Sequence, residues 1–196
     1  MELRQVLDGF PRLEALRYSW SDQWPSQFRN TYPCLASELL GCLQPFKAQL
    51  KSLAVDFGSW MWRRSYENKP SSLWIAYLSC FESLTHLGIE AHLFWPVRRN
   101  RYTLYYRLDP NKVGSLVSIL PKGLESIDLG RLGGNSMPLL AKTIKKRCPG
   151  LRLVTCNYVS SGIDGEPTEE EAKEILAEQG IELSVLSRCG FSSASS

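Results

Sequence analysis

The sequence predicts an α/β solenoid, with short parallel strands lining one curved face and helices covering the other. Three observations predict it. A Leu-x-x-Leu-x-apolar pattern recurs along the chain, each later copy follows an apolar stripe at helical spacing, and extra residues collect at one place in the unit, after the strand.

The copies are Leu13, Leu16, Tyr18; Leu50, Leu53, Val55; Leu84, Leu87, Ile89; Leu124, Ile127, Leu129; and, more loosely, Leu151, Val154, Cys156. A degraded last copy lies in Ile181-Glu-Leu183-Ser-Val185. Each pattern ends in an in-and-out alternation, as a short strand with one buried face requires.

The helices come between. Leu3, Val6 and Leu7 form a short first helix. Leu35, Leu39, Leu40 and Leu43 precede the second strand, and Trp74, Tyr77, Leu78 and Phe81 the third. Val113, Leu116, Val117 and Leu120 precede the fourth, Leu140 and Ile144 the fifth, and Ala172, Ile175 and Leu176 the last. Spacings of three and four residues put such groups on one stripe of a helix. Pro11, Pro121 and Pro149 stand shortly before their strands, where a missing N–H and a fixed φ stop the helix. Thr168 with Glu171 three residues later reads as a capping box, and Glu169 and Glu170 suit the positive helix end.

The leading leucine falls at 13, 50, 84, 124 and 151. Leucine-rich repeats run roughly 20–29 residues, so the first three units carry insertions, at 21–34, 58–72 and 91–111, with a shorter one at 160–168. The expected fold is thus a leucine-rich-repeat solenoid of about five to six irregular repeats, because each strand leads to a helix that crosses back. It would occupy residues 1–190, with 191–196 a frayed Ser-rich tail. A doubly wound α/β sheet also alternates helix and strand. Its strands read as continuous Val/Ile runs and its first strand leads into a Gly-rich phosphate turn, and neither feature occurs here.

Composition fits a globular protein: 43% hydrophobic and 22% charged residues in 196 exclude a disordered or collagen-like chain. Lys plus Arg is 23 against 20 Asp plus Glu, and a net charge of +3 does not by itself point to nucleic acid or an anionic membrane. The longest apolar run, Leu73 to Leu78, falls far short of the ~20 residues of a membrane span, so no membrane partner is expected. Cys34, Cys42, Cys80, Cys148, Cys156 and Cys189 are scattered, with no Cys-x-x-Cys pair. They read as small buried hydrophobes in a reducing compartment, cytoplasmic or nuclear.

Catalytic constellations are scarce, and the chain reads as non-catalytic with no cofactor or metal. His86 and His92 lack Asp or Cys partners at ligand spacing. No Gly-x-Ser-x-Gly, His-Glu-x-x-His or P-loop occurs. Gly130-Arg-Leu-Gly133-Gly134 imitates a nucleotide-clamping Gly-x-x-Gly, but it follows a strand and reads as a flexible loop. Lys142, Lys145, Lys146 and Arg147 sit in the last turns of a helix, where cations complement the dipole.

Two insertions hold the candidate binding residues: Trp60, Trp62, Arg63 and Arg64 in one, and Trp95, Arg98, Arg99, Arg101 and Tyr102 in the other. Trp, Tyr and Arg dominate binding hot spots, and loops commonly carry function. Their aromatics can equally cap the solenoid's own core, whereas the arginines are harder to bury unpaired. A protein partner is the leading expectation. A nucleic-acid-binding solenoid using the same arginines is the alternative, disfavoured by the small net charge.

The stretches Phe10-Pro-Arg-Leu-Glu-Ala-Leu, Phe81-Glu-Ser-Leu-Thr-His-Leu, Leu120-Pro-Lys-Gly-Leu-Glu-Ser-Ile-Asp-Leu and Cys148-Pro-Gly-Leu-Arg-Leu-Val resemble the degenerate leucine-rich repeats of fungal F-box-type proteins. The resemblance implies substrate recognition by the repeats within a cullin-type ubiquitin ligase receptor. There an N-terminal F-box docks a Skp-type adaptor. No F-box motif is present in this sequence, so an adaptor is expected only if a longer parent chain supplies one.

Two further expectations follow from the register. Arg17, Ala54, Gly88, Asp128 and Thr155 should form a solvent-facing column, flanked by Ser19, Asp56, Glu90, Gly130 and Asn157. The first repeat should leave a sticky edge, open to an upstream segment or to self-association, unless the insertion with Trp20, Trp24 and Phe28 folds over it.

Overall fold

The computed structural model describes residues 3–19, 36–56, 78–89, 117–133, 137–159 and 167–186. Its elements run α1 (Leu3–Leu7), β1 (Ala15–Ser19), α2 (Ala36–Leu43), β2 (Ser52–Asp56), β3 (His86–Ile89), β4 (Ser126–Gly133), α3 (Met137–Arg147), β5 (Leu153–Val159), α4 (Glu169–Ala177) and β6 (Glu182–Val185). The six strands form one sheet in the order β1-β2-β3-β4-β5-β6, and among the described residues an α-helix precedes β1, β2, β5 and β6. Every neighbouring pair is parallel. A doubly wound sheet reverses its strand order at a switch point. This sheet never reverses, an arrangement compatible with a solenoid.

The pairing register aligns the recurring pattern residue for residue. Leu16, Leu53, Leu87, Ile127, Val154 and Leu183 are successive partners across the six strands. Leu53, Leu87, Ile127 and Val154 are buried, as are Leu50, Leu84, Leu124 and Leu151 in the turns before them. The helices close over this row with Leu39, Leu43, Leu140, Ile144, Ala172 and Leu176, giving one continuous core. Each such side chain contributes roughly 1.5–3 kcal/mol through burial. At the β1 end the row is less covered: Leu7 is buried, while Leu3, Val6, Leu13 and Leu16 are half-buried.

Backbone bonds tie one turn to the next just before each strand. Glu14 O accepts from Lys51 N (2.7 Å) and Ser52 N (3.1 Å), and Lys51 O from Thr85 N (2.9 Å) and His86 N (3.0 Å). Thr85 O then accepts from Glu125 N and Ser126 N, and Glu125 O from Arg152 N and Leu153 N. The last turn differs. Arg152 O accepts from Glu182 N, while Ile181 N instead donates to Leu176 O and Gly180 N to Ala177 O. Gly180, at φ 67°, makes this Schellman-type helix end, and it shortens the spacing that a Leu-x-x-Leu pattern would require.

The capping box is present: Glu171 N donates to Thr168 Oγ1 (3.2 Å) and Thr168 N to Glu171 Oε2 (2.6 Å). Pro11, Pro121 and Pro149 each follow a helical stretch and precede a strand. Three expectations need correction. Leu78–Cys80 is a 3-10 turn, and Phe81 lies beyond it, buried in the core. Gly130 to Gly133 is not a loop but the second half of β4. Gly130 also does not stand opposite Asn157, because β4 carries one extra residue there. The three long insertions, and the tail after residue 186, lie outside the described residues.

Candidate functional site

Strand alternation turns every second residue away from the helices. Arg17, Ala54, Gly88, Asp128, Thr155 and Ser184 are successive partners in this outward row. Arg17 is exposed and the other five are half-buried, so the expected column stands as read. A second row, Ala15, Ser52, His86, Ser126, Leu153 and Glu182, runs beside it. Of the flanking residues, Ser19 pairs with Asp56, and Glu90 lies outside the described residues.

The middle of the face is low. Gly88 has no positive φ, so its backbone does not demand glycine. What it lacks is a side chain between Ala54 and Asp128, and the result is a shallow floor of Ala54 and Gly88. Arg17 bounds the floor on one side and Asp128 on the other. Three strand spacings of roughly 4.8 Å separate the backbones of these two residues, about 14 Å in all.

Asp128 is held by the bulge that follows it. Asp128 pairs with Thr155 and Arg131 with Asn157, so Leu129 and Gly130 on β4 oppose only Cys156 on β5. Gly130 takes φ 61°, and its N–H donates to Asp128 Oδ1 at 3.0 Å. A left-handed glycine of this kind is the usual price of a bulge. The bulge was missed from the sequence. Its signal was present in Asp128-Leu-Gly130, since an Asp that bonds the backbone two residues on favours a turn.

Two of the described thiols are buried and held protonated. Burial, reinforced by the charges of Asp128 and Glu169, pushes the Cys156 thiol up to about 12. Burial also raises Cys148 to about 11 against the opposing Arg147, and its Sγ–H donates to Pro121 O at 3.1 Å. Both stay protonated at neutral pH, and a thiol in that form is inert. Cys42 and Cys80 are half-buried, and Gln44 Nε2 donates to Cys80 Sγ at 3.6 Å. His86 lies on the outward face with Nδ1 2.8 Å from Thr85 Oγ1, while His92 is outside the described residues. Among the described residues no group of three His, Cys, Asp or Glu side chains is placed to hold a metal ion. No described helix is long and apolar enough to cross a membrane.

The basic run on α3 is partly a structural device. Lys145 Nζ donates to Leu151 O at 2.9 Å, and Arg147 Nε reaches Leu120 O of the preceding turn at 3.1 Å. Lys142 and Lys146 remain exposed. The expected binding residues of the insertions, Trp60, Trp62, Arg63, Arg64, Trp95, Arg98, Arg99, Arg101 and Tyr102, all lie outside the described residues. Comparison with family models, curated proteins and solved structures returns no match to this chain.

Proposed function

We propose that this chain is a non-catalytic protein-interaction module of leucine-rich-repeat type that recognises a partner through the outward face of its sheet. The observation that carries the reading is the register. One unbroken inward row from Leu16 to Leu183 fixes one unbroken outward row from Arg17 to Ser184. A stack built this way presents an extended surface whose chemistry is free to vary while the core is kept. Here that surface is built mostly of small residues and is of mixed charge, with Arg17 on one side and Asp56, Asp128 and Glu182 on the other strands. A partner segment that carries an acid towards Arg17 and a base towards Asp128, on either side of the Ala54–Gly88 floor, matches this face.

The resemblance to fungal F-box-type repeats makes substrate recognition in a ubiquitin ligase receptor the specific form of this proposal. The insertion residues Trp60, Trp62, Arg63, Arg64, Trp95, Arg98, Arg99, Arg101 and Tyr102 would then extend the contact beside the face. The test is a comparative affinity capture with the wild-type chain, Gly88→Phe and Arg17→Glu, followed by a salt series on the captured partner. A partner lost by both variants and retained at raised salt supports the reading. A nucleic acid released steeply by salt and indifferent to both variants overturns it.

A further inference from the structure

We infer that copies of this chain associate head to tail, with the outer edge of β6 on one copy continuing onto the outer edge of β1 on the next. This goes beyond partner recognition by the outward face, and it stands on different residues.

Among the described residues, β1 pairs only with β2 and β6 only with β5. Glu14 O accepts from Ser52 N, so by alternation the N–H and C=O of Ala15 and Arg17 turn away from β2. Glu182 N donates to Arg152 O and Leu186 N to Cys156 O, so the N–H and C=O of Leu183 turn away from β5. The two edges are complementary in register. With the next copy advanced by one strand, Arg17 N–H meets Leu183 C=O, and Leu183 N–H meets Ala15 C=O. Leu16 then stands beside Leu183, where it extends the inward apolar row without a break.

Two independent features favour a second copy over another occupant. The exposed large hydrophobics among the described residues are Phe10, 55% exposed, and Leu186, 47% exposed. One lies just before the first strand and the other just after the last, and Phe10 lines an open hollow of about 410 Å³ together with Gly9, Leu13 and Ala15. A head-to-tail contact covers both ends at once. The ends also differ in charge. Among the described residues the β6 end carries Glu169, Glu170, Glu171, Glu174, Glu178 and Glu182 against Lys173, whereas the sequence of the β1 end is balanced, with Arg4, Arg12 and Arg17 against Glu2, Asp8 and Glu14. Two acidic ends therefore repel each other, whereas the balanced β1 end, with Arg17 on its edge strand, can meet the acidic end. Such a contact is heterologous, so it does not close at two copies.

The experiment is light scattering coupled to gel filtration on the full chain over a wide concentration range. Phe10→Glu blocks the β1 end and Leu186→Lys blocks the β6 end; both residues are exposed, and circular dichroism verifies that each variant folds. The wild type should grow with concentration past a dimer. Each variant alone should stay monomeric, and an equimolar mixture of the two should form a dimer and stop there, since only one good end remains on each copy. A wild type that stays monomeric throughout, one that stops at a dimer, or a mixture that stays monomeric overturns the inference.

Discussion

Gly88 stands directly beside Ala54 across the β2–β3 ladder, and a β-carbon added to it would lie 3.2 Å from that of Ala54. The contact is tight, and because the Ala54 methyl is fixed to its backbone, the two strands must part by a few tenths of an ångström to relieve it. Gly88→Ala should therefore change stability by less than about 1 kcal/mol, because lost unfolded-state freedom offsets the crowding. Gly88→Phe should fill the floor and remove partner binding while a thermal melt shows the fold retained. Undiminished binding by Gly88→Phe would take this part of the face out of the contact.

The inward row is expected to behave in the opposite way. Leu87, buried between Leu53 and Ile127, should cost about 2–5 kcal/mol on truncation to Ala. Lys51 and Glu14 form an exposed ion pair at 2.9 Å, and Lys51→Met should change stability by about 0.5 kcal/mol or less. Urea unfolding of the two variants measures both, and a similar cost for each would contradict the assigned faces.

Thr168→Ala should cost about 1 kcal/mol, since it removes the hydroxyl that accepts from Glu171 N. A stack loses stability locally when an end unit weakens. Hydrogen exchange should accordingly speed up in α4 and β6 while β2 and β3 keep their protection. Uniform acceleration across the sheet would show that the units are not separable in this way.

The buried thiols set a direction for alkaline pH. Cys156 and Cys148 are held at about 12 and about 11 against 9.0 for a free thiol, so the unfolded chain sheds these protons first. Their contribution is complete below pH 9 and is lost as pH rises from about 9 towards 12. Cys156→Ala should flatten the fall in melting temperature across this window relative to the wild type. An unchanged slope would mean that Cys156 ionises freely in the folded protein.

The order and register of the sheet were legible because they rest on apolar spacing. Leu13 to Cys156 repeat one short pattern, and that pattern is what the core contacts select. The β4 bulge was not, since an extra residue at Leu129–Gly130 leaves Leu129 buried and the apolar spacing intact up to that point. The 3-10 turn at Leu78–Cys80 was hidden for a related reason: Leu78 and Phe81 are three apart, which suits a 3-10 and an α turn equally. The outward row was legible only as a consequence of the inward one. Small and polar residues such as Ala54, Gly88 and Thr155 carry no periodic signal of their own.

A single-residue difference in thiol labelling tests the register most directly. Val154 and Thr155 are neighbours on β5, one pointing into the core and the other out, and a slip of one residue would exchange them. Each is replaced in turn by Cys, and its alkylation rate is read by peptide mass spectrometry against the native cysteines. Thr155→Cys should label in the folded protein, and should be protected by a partner bound to the outward face. Val154→Cys should label only after denaturation. Rapid labelling of Val154→Cys in the folded state, with Thr155→Cys protected in the free protein, would reverse the two faces and remove the proposed binding surface.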